Sequence, residues 1–283
     1  MKQISSLEEI QSFARKSSQP VVLVPTMGAL HAGHLSLIEK AKKCAGPDSL
    51  VIVSIFVNPT QFDRKDDFEN YPNTLVNDLA ECEKMGVDVA FTPPAGAMYQ
   101  PDHSITILEK SLSQTLCGAT RPGHFDGVCT VVLKLFMLTN ARWAVFGEKD
   151  FQQLAIIKRL VRDLNLPVEI IPSATVREND GLAMSSRNLR LSQPARNAAP
   201  AVRRALIETK SSLENGDDVE KSIQLASQNI KNSYAEVKID YLDLVDAENL
   251  QPVFVIRRPA LLAIAVFYDD VRLIDNILIE PAK

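Results

Sequence analysis

The stretch that most limits what this chain can fold into is Val21 to Ile38, VVLVPTMGALHAGHLSLI, with Leu50 to Val57, LVIVSIFV, close behind it. Val21 to Val24 is an apolar run too short for a helix, and it reads as a strand buried on both faces. Pro25 cannot donate to a ladder, so it is expected to end that strand. A turn carrying Thr26, Gly28 and Gly33 follows. Leu35, Leu37, Ile38 and Ala41 then recur at the spacing of a helix packed on a sheet. A strand, a helix over 34–43 and a second buried strand over 50–57, within about 35 residues, make a βαβ crossover. That unit points to a doubly wound parallel sheet, in which ligands sit beyond the carboxyl ends of the strands.

His31 and His34 flank Gly33 where the loop becomes the helix. Backbone N–H groups at a helix start attract anions. Glycine lets a phosphate approach the backbone, and imidazole donates to phosphate oxygens. Strand, turn, H-x-G-H and helix together suggest a nucleotide site. The competing reading makes the two histidines ordinary surface or capping residues, and short motifs of this kind do recur by chance.

With 283 residues, 46% of them hydrophobic, the chain can build one large or two modest domains. A net charge of −4 argues against a nucleic-acid partner. Cys44, Cys82, Cys117 and Cys129 form no C-x-x-C pair and match no zinc spacing. They read as reduced thiols of a cytoplasmic protein. MKQISSLEEIQSF lacks the apolar core of a secretory signal, and no apolar run reaches membrane-spanning length.

Along the chain, Ser5 or Ser6 caps a first helix to about Ser17. Gly46-Pro47-Asp48 is a turn, 63–71 a polar surface segment, 74–84 an amphipathic helix and 87–91 a strand. Residues 104–108 alternate as an edge strand or irregular β structure, 116–128 is a loop, and 128–139 a helix. Strand 142–146 ends at Gly147-Glu148-Lys149-Asp150, followed by helix 151–165, strand 167–171 and a polar loop over 176–188. A boundary near Thr175 separates a Rossmann-like domain, 1–175, from a smaller α+β domain, 176–283. The latter has helices over 194–233 and strands over 237–245, 261–267 and 271–279, the last two paired antiparallel across Tyr268-Asp269-Asp270.

Four loop stretches, 26–34, 58–62, 147–153 and 176–188, are expected at one edge of one sheet. They offer His31, His34, Lys149, Ser185, Ser186 and Arg187, the donors a polyphosphate needs. Gln61 and Gln153 suit orientation of a polar substrate by hydrogen bonds. No nucleophile motif is present, so direct transfer between bound substrates is expected, driven by positioning and electrostatics. Taken singly, Lys149 reads more readily as half of a surface ion pair than as a ligand, and Ser185 to Asn188 reads also as a capped turn.

The ordered set VPTMGALHAGH (24–34), SIFVNPTQF (54–62), RPGHFDGV (121–128), FGEKDFQQL (146–154), DGLAMSSRN (180–188) and RLIDN (272–276) resembles the pantothenate synthetase (pantoate–β-alanine ligase) family of H-x-G-H nucleotidyltransferases, across nearly the whole chain. The resemblance implies ATP-dependent joining of pantoate and β-alanine through pantoyl adenylate, with release of pyrophosphate and AMP. It implies ATP contacts by Met27, Gly28, Ala29, Leu30, His31, Ala32, Gly33 and His34, by Gly147, Glu148, Lys149 and Asp150, and by Val176, Met184, Ser185, Ser186 and Arg187. His34 is the implied proton donor and His31 assists at the phosphates, while Ser185 to Arg187 stands where related synthetases carry K-M-S-K-S. Gln61 and Gln153 are implied to hold pantoate, with Asn58, Arg121 and His124 lining that neighbourhood. The resemblance also implies a homodimer and Mg²⁺. Where two adjacent acidic residues are usual, this chain has Asn77 and Asp78, which leaves Asp78 as the protein's candidate magnesium ligand, with Mg²⁺ arriving chiefly on ATP as the alternative. An adenylate must be kept from water, so the 177–188 loop is expected to close, with Gly181 as hinge.

Two other functions compete with ligation. One is a cytidylyltransferase-like enzyme that keeps the nucleotide on its product. The other is a synthetase-like fold that binds RNA or protein without catalysis, against which stand the intact His31, His34, Lys149 and Arg187 and the acidic charge balance.

Overall fold

The apolar run at Val21 lies at the heart of a parallel sheet. The computed structural model describes residues 1–46 and 48–281. The first half of the chain runs β1 (Lys2–Ile4), α1 (Leu7–Lys16), β2 (Val21–Thr26), α2 (Ala32–Ala45), β3 (Leu50–Ile55), α3 (Lys65–Glu69), α4 (Leu75–Lys84), β4 (Val89–Phe91) and α5 (Ala95–Met98). Then come α6 (Leu116–Thr120), α7 (His124–Thr139), β5 (Ala141–Gly147), α8 (Phe151–Asp163) and β6 (Glu169–Ser173). The remainder is α9 (Gln193–Ala198), α10 (Ala201–Glu214), α11 (Val219–Lys231), β7 (Lys238–Asp246), β8 (Ala260–Tyr268) and β9 (Val271–Ile279).

The chain divides into two compact units. The first comprises Met1–Glu109, Arg121–Glu148 and Gln153–Ala174; the second comprises Lys110–Thr120, Lys149–Gln152 and the chain from Thr175 onward. Two short segments well before the expected boundary therefore go with the second unit.

The first unit is a Rossmann-like sheet of six strands in the order β1-β4-β3-β2-β5-β6, every pair parallel. Val22, Val24, Val51 and Val53 face one side with Ile38 and Ala41 of α2 and Cys82 of α4. On the other side α7 packs on β2 and on α1. Coverage of both faces explains why Val21 to Val24 are all buried. The order turns back at β2: the chain goes to β3 on one side and later to β5 on the other. The β2–β5 edge is thus the topological switch point, and the loop after β2 is the H-x-G-H loop.

Several elements differ from the sequence expectation. Pro25 lies inside β2, in register with Ser54 of β3. The β2–β5 ladder runs only from Val21 to Leu23, so no neighbour on that side needs the proline N–H. The segment 116–128, expected as a loop, holds α6 and the first turn of α7. Residues 104–108 form no strand; Ile107 N–H instead bonds the Thr130 hydroxyl at 2.9 Å, and Glu109 N–H the Asp126 carboxylate at 3.0 Å. The polar stretch 63–71 contains α3, and β1 is an edge strand the apolar pattern does not announce. The turn expected at Gly46-Pro47-Asp48 lies partly outside the described residues. Ser6 is the first N-cap, accepting from Glu9 N at 3.2 Å.

The second unit is a three-stranded antiparallel sheet, β7-β8-β9, with α10 and α11 on one face. Leu262, Ile264 and Val266 of β8, Val271 and Leu273 of β9, and Val202 and Leu206 of α10 share one core. The opposite face of the sheet meets α6: Arg272 of β9 donates to Asp240 of β7 at 2.8 Å and to the Thr120 hydroxyl at 3.3 Å. Gln152 Nε2 donates to the carbonyls of Leu112 and Thr115, at 2.7 and 2.8 Å. These bonds tie 149–152 to 110–120, and explain why both segments leave the unit that surrounds them in sequence. No helix among the described residues is long and apolar enough to cross a membrane.

Candidate active site

The H-x-G-H loop is built by its own hydrogen bonds. His31 is the N-cap of α2, its Nδ1 accepting from Gly33 N–H at 3.1 Å. His34 reaches back, its Nδ1 accepting from His31 N–H at 3.3 Å. This is a capping box with imidazoles in place of the usual hydroxyl and carboxamide. The rings lie 4.1 Å apart. With Nδ1 accepting in both, the neutral rings carry their protons on Nε2. Capping and anion binding are therefore not alternatives, because they use different nitrogens.

Asp78 holds the other end of this loop. Its carboxylate accepts from Ala29 N–H at 3.0 Å, from Leu30 N–H at 2.8 Å and from the Thr74 hydroxyl at 3.2 Å. Gly28 and Ala29 both have positive φ, +82° and +50°, so the chain bends sharply here. A Cβ at Gly28 would lie 2.9 Å from the Asp78 carboxylate. Asp78 does not fit the magnesium role expected of it: it is 3% exposed, and both oxygens are already engaged by donors. Mg²⁺ demands an ordered oxygen shell with several waters, for which this carboxylate has no room. Among the described residues no group of three or more His, Cys, Asp or Glu is arranged to hold a metal.

Beyond β3, Asn58 organises the glutamine. Its Nδ2 donates to Gln61 Oε1 at 3.0 Å and to the Gly127 carbonyl at 3.2 Å. Its Oδ1 accepts from the Tyr99 hydroxyl at 2.8 Å and from Thr60 at 3.0 Å. The Gln61 amide is thereby fixed one way round, and its Nε2 points to Met27 Sδ at 3.0 Å. A thioether is a weak acceptor, so this buried amide keeps a strong donor for a polar ligand. Nothing in the sequence spacing singles out Tyr99. Burial pushes its phenol above the ordinary value, opposed by the Thr60 bond, and the neutral hydroxyl serves as a donor.

Arg121 and His124 meet the same segment from α7 and the turn before it. Arg121 Nε pairs with Asp63 at 2.6 Å, and its Nη2 donates to the Gln61 carbonyl at 3.3 Å. His124 Nδ1 lies 2.7 Å from that carbonyl. Both hold the backbone of Gln61. Gly127 has no room for a side chain, because a Cβ would run into the Thr60 carbonyl. Gly147 and Glu148 stand at the carboxyl end of β5, and partly buried Gln153 lies in the first two turns of α8. Within the first unit, the loops after β2, β3 and β5 thus follow three neighbouring parallel strands.

The second unit carries Lys149, Asp150, Val176, Met184, Ser185, Ser186 and Arg187. Lys149 Nζ lies 3.8 Å from the Asp150 carboxylate, a long pair that gives the surface-pair reading only partial substance. Residues 176–184 form a hairpin rather than an open loop. Glu178 N–H bonds Leu182 O at 2.8 Å and Met184 N–H bonds Val176 O at 3.0 Å. Gly181, expected as a hinge, sits in the turn of this hairpin with φ +92°. Ser185 caps the following 3-10 turn by accepting from Arg187 N–H at 3.3 Å. Arg177 is bidentate on Asp275, at 2.7 and 2.9 Å, and also donates to the Gly181 carbonyl at 3.1 Å. Burial, and then the charge of Arg177, hold the neighbouring Arg203 guanidinium below its ordinary value, with Asp275 opposing.

Comparison with known proteins adds a third line of observation. A family model described as pantoate-beta-alanine ligase matches residues 1–278. The chain is 52% identical over 257 residues to the pantothenate synthetase of Akkermansia muciniphila, covering 91% of each. It is 44% identical to that of Thermosipho africanus, over 99% of this chain and 100% of the relative. Among solved structures it is similar to the pantothenate synthetase of Thermus thermophilus, with a TM-score of 0.92, 40% identity and coverage of 99% and 100%. It is also similar to the pantoate-beta-alanine ligase of Francisella tularensis complexed with beta-gamma ATP and beta-alanine, with a TM-score of 0.80, 34% identity and coverage of 98% and 97%.

Proposed function

The chain belongs to the pantoate–β-alanine ligase family, and from that premise we propose that it joins pantoate to β-alanine through a pantoyl adenylate. A pantoate carboxylate oxygen attacks the α-phosphorus of ATP, and the bond to the β-phosphate breaks as pyrophosphate leaves. The amine of β-alanine then attacks the acyl carbon, loses a proton, and expels AMP to give pantothenate. The ligands named for the Francisella relative support ATP and β-alanine as substrates.

The observation that carries this reading is the reciprocal cap of His31 and His34 at the switch point. It commits Nδ1 of both rings to the backbone and makes Nε2–H the donor of each. Donors fixed in advance stabilise the charge that grows on the phosphate oxygens without reorganising at the moment of transfer. In this reading His34 hydrogen-bonds the departing phosphate through Nε2–H, His31 assists, and Met27 to His34 with Gly147 and Glu148 hold the nucleotide. Lys149, Asp150, Val176 and Met184 to Arg187 bind phosphates and nucleotide, and the 177–188 segment closes to keep water from the adenylate. The donor end of Gln61, with Gln153, orients pantoate. Asn58, Arg121 and His124 serve by fixing Gln61.

The crowded Asp78 carboxylate supports a Mg²⁺ carried by the ATP phosphates rather than held by a protein carboxylate. Family membership further supports a cytoplasmic homodimer with small-molecule partners only. A net charge of −4 supports small-molecule rather than nucleic-acid partners.

The test follows pyrophosphate and AMP from ATP, Mg²⁺ and pantoate, with and without β-alanine. Pyrophosphate that requires pantoate, with sustained AMP only when β-alanine is present, is the expected outcome. Pyrophosphate formation indifferent to pantoate, or a product that retains the nucleotide, would overturn the reading.

A further inference from the structure

Asp275 and Asn276 are adjacent on β9, so their side chains leave opposite faces of the sheet. Asp275 lies on the face covered by the helices, in the row with Val271 and Leu273, and is 5% exposed. Its carboxylate takes both Arg177 nitrogens, at 2.7 and 2.9 Å, and so pins the 176–184 hairpin that leads into Ser185 to Arg187. Asn276 lies on the other face, in the row with Arg272. Its Nδ2 donates to the backbone carbonyl of Lys149 at 2.9 Å. The two neighbours are themselves linked, since Asn276 N–H donates to Asp275 Oδ1 at 2.8 Å. One dipeptide therefore grips two segments that are far apart in sequence and that both carry cationic side chains.

We infer that Asp275 and Asn276 are positioning residues for adenylation: they register Lys149 and the Ser185–Arg187 turn on one strand, so that the second unit presents its polyphosphate donors as a set. The inference rests on the proposed ligase reaction for its kinetic part only. A buried carboxylate filled by a bidentate arginine, beside an amide spent on a backbone carbonyl, explains why the RLIDN stretch sets Asp275 in the core-facing row with Val271 and Leu273. Positioning of this kind matters because small displacements of catalytic groups cost large factors in rate.

The variant that isolates the bond is Asn276→Asp. It is isosteric, yet it sets a carboxylate oxygen against the Lys149 carbonyl and removes the donor. Pantoate-dependent pyrophosphate release should fall about 10-fold or more, with a raised KM for ATP. Aminolysis of supplied pantoyl adenylate by β-alanine should stay within about twofold of wild type, since that step does not use the pyrophosphate donors. Asn276→Ala should show the same loss. Asp275→Asn should act on the same half-reaction from the other face.

Hydrogen exchange provides a readout that needs no substrate. The amides of 149–152 should exchange faster in Asn276→Asp, and those of 177–188 in Asp275→Asn. Unchanged adenylation in both Asn276 variants, equal loss of both half-reactions, or unaltered exchange in these segments would overturn the inference. If wild type itself lacks pantoate-dependent pyrophosphate release, the ligase reading fails while the exchange experiment still decides the positioning.

Discussion

His34 Nδ1 accepts the backbone N–H of His31 at 3.3 Å, so the residue expected to serve the phosphates also closes the first turn of α2. The two roles can be separated. In His34→Gln the carboxamide can still reach back as the partner in a capping box, whereas His34→Ala removes the cap at a cost of about 1 kcal/mol. Both variants should lose about 100-fold or more in adenylation. Only His34→Ala should show a lowered Tm. Thermal melts alongside pyrophosphate release check this, and full activity in His34→Gln would remove the imidazole from the chemistry.

Asn58 fixes the Gln61 amide through a 3.0 Å bond to Oε1. Asn58→Ala leaves that oxygen and the Tyr99 hydroxyl without their buried partner, at about 1–3 kcal/mol. The amide can then turn. The KM for pantoate should rise about 10-fold while that for ATP holds. Tyr99→Phe, which leaves the Asn58–Gln61 bond in place, should raise it less. Steady-state kinetics with each substrate varied in turn measures both.

Asp78 anchors the peptide groups of Ala29 and Leu30. In Asp78→Asn one of those N–H groups meets an NH₂, at about 1–3 kcal/mol. Activity should fall at every magnesium concentration, with no change in the concentration giving half-maximal rate. A marked rise in that concentration would return Asp78 to the metal.

Gly127→Ala should destabilise by about 1–3 kcal/mol, because the new methyl overlaps the Thr60 carbonyl. It also moves the segment that carries Gln61. Chemical unfolding of Gly127→Ala against Gly96→Ala, where a Cβ meets nothing within 4 Å, gives the comparison.

Burial pushes the Cys82 thiol up to about 11 and the Cys129 thiol up to about 12, with nearby carboxylates adding to each. Exposed Cys44 should therefore alkylate first in the native protein, and Cys82 and Cys129 only on unfolding. The sign for stability follows. In the unfolded chain these thiols ionise near pH 8.5, while the folded thiols hold their protons. The unfolded state then binds fewer protons, and stability falls as the pH rises from about 8.5 toward 11. Replacing both thiols by Ala should flatten that alkaline slope in urea titrations.

What the sequence by itself determined was whatever follows from local pattern. Apolar runs at 21–24 and 50–57 announced buried parallel strands, because a strand covered on both faces needs no alternation. The H-x-G-H spacing placed two imidazoles at a helix start, and the Tyr268-Asp269-Asp270 turn announced the β8–β9 hairpin. The ordered motifs carried the family. Tertiary structure alone decided the partners. Pro25 is tolerated because the β2–β5 ladder stops short of it, a matter of neighbouring strand length. Asp78 is an anchor because α4 brings it under Ala29, forty-nine residues away along the chain. Lys149 joins Asn276 across 127 residues. A carboxylate or amide in sequence declares only what it can accept or donate, and the fold, by bringing distant backbone to it, decides which of those capacities is already used.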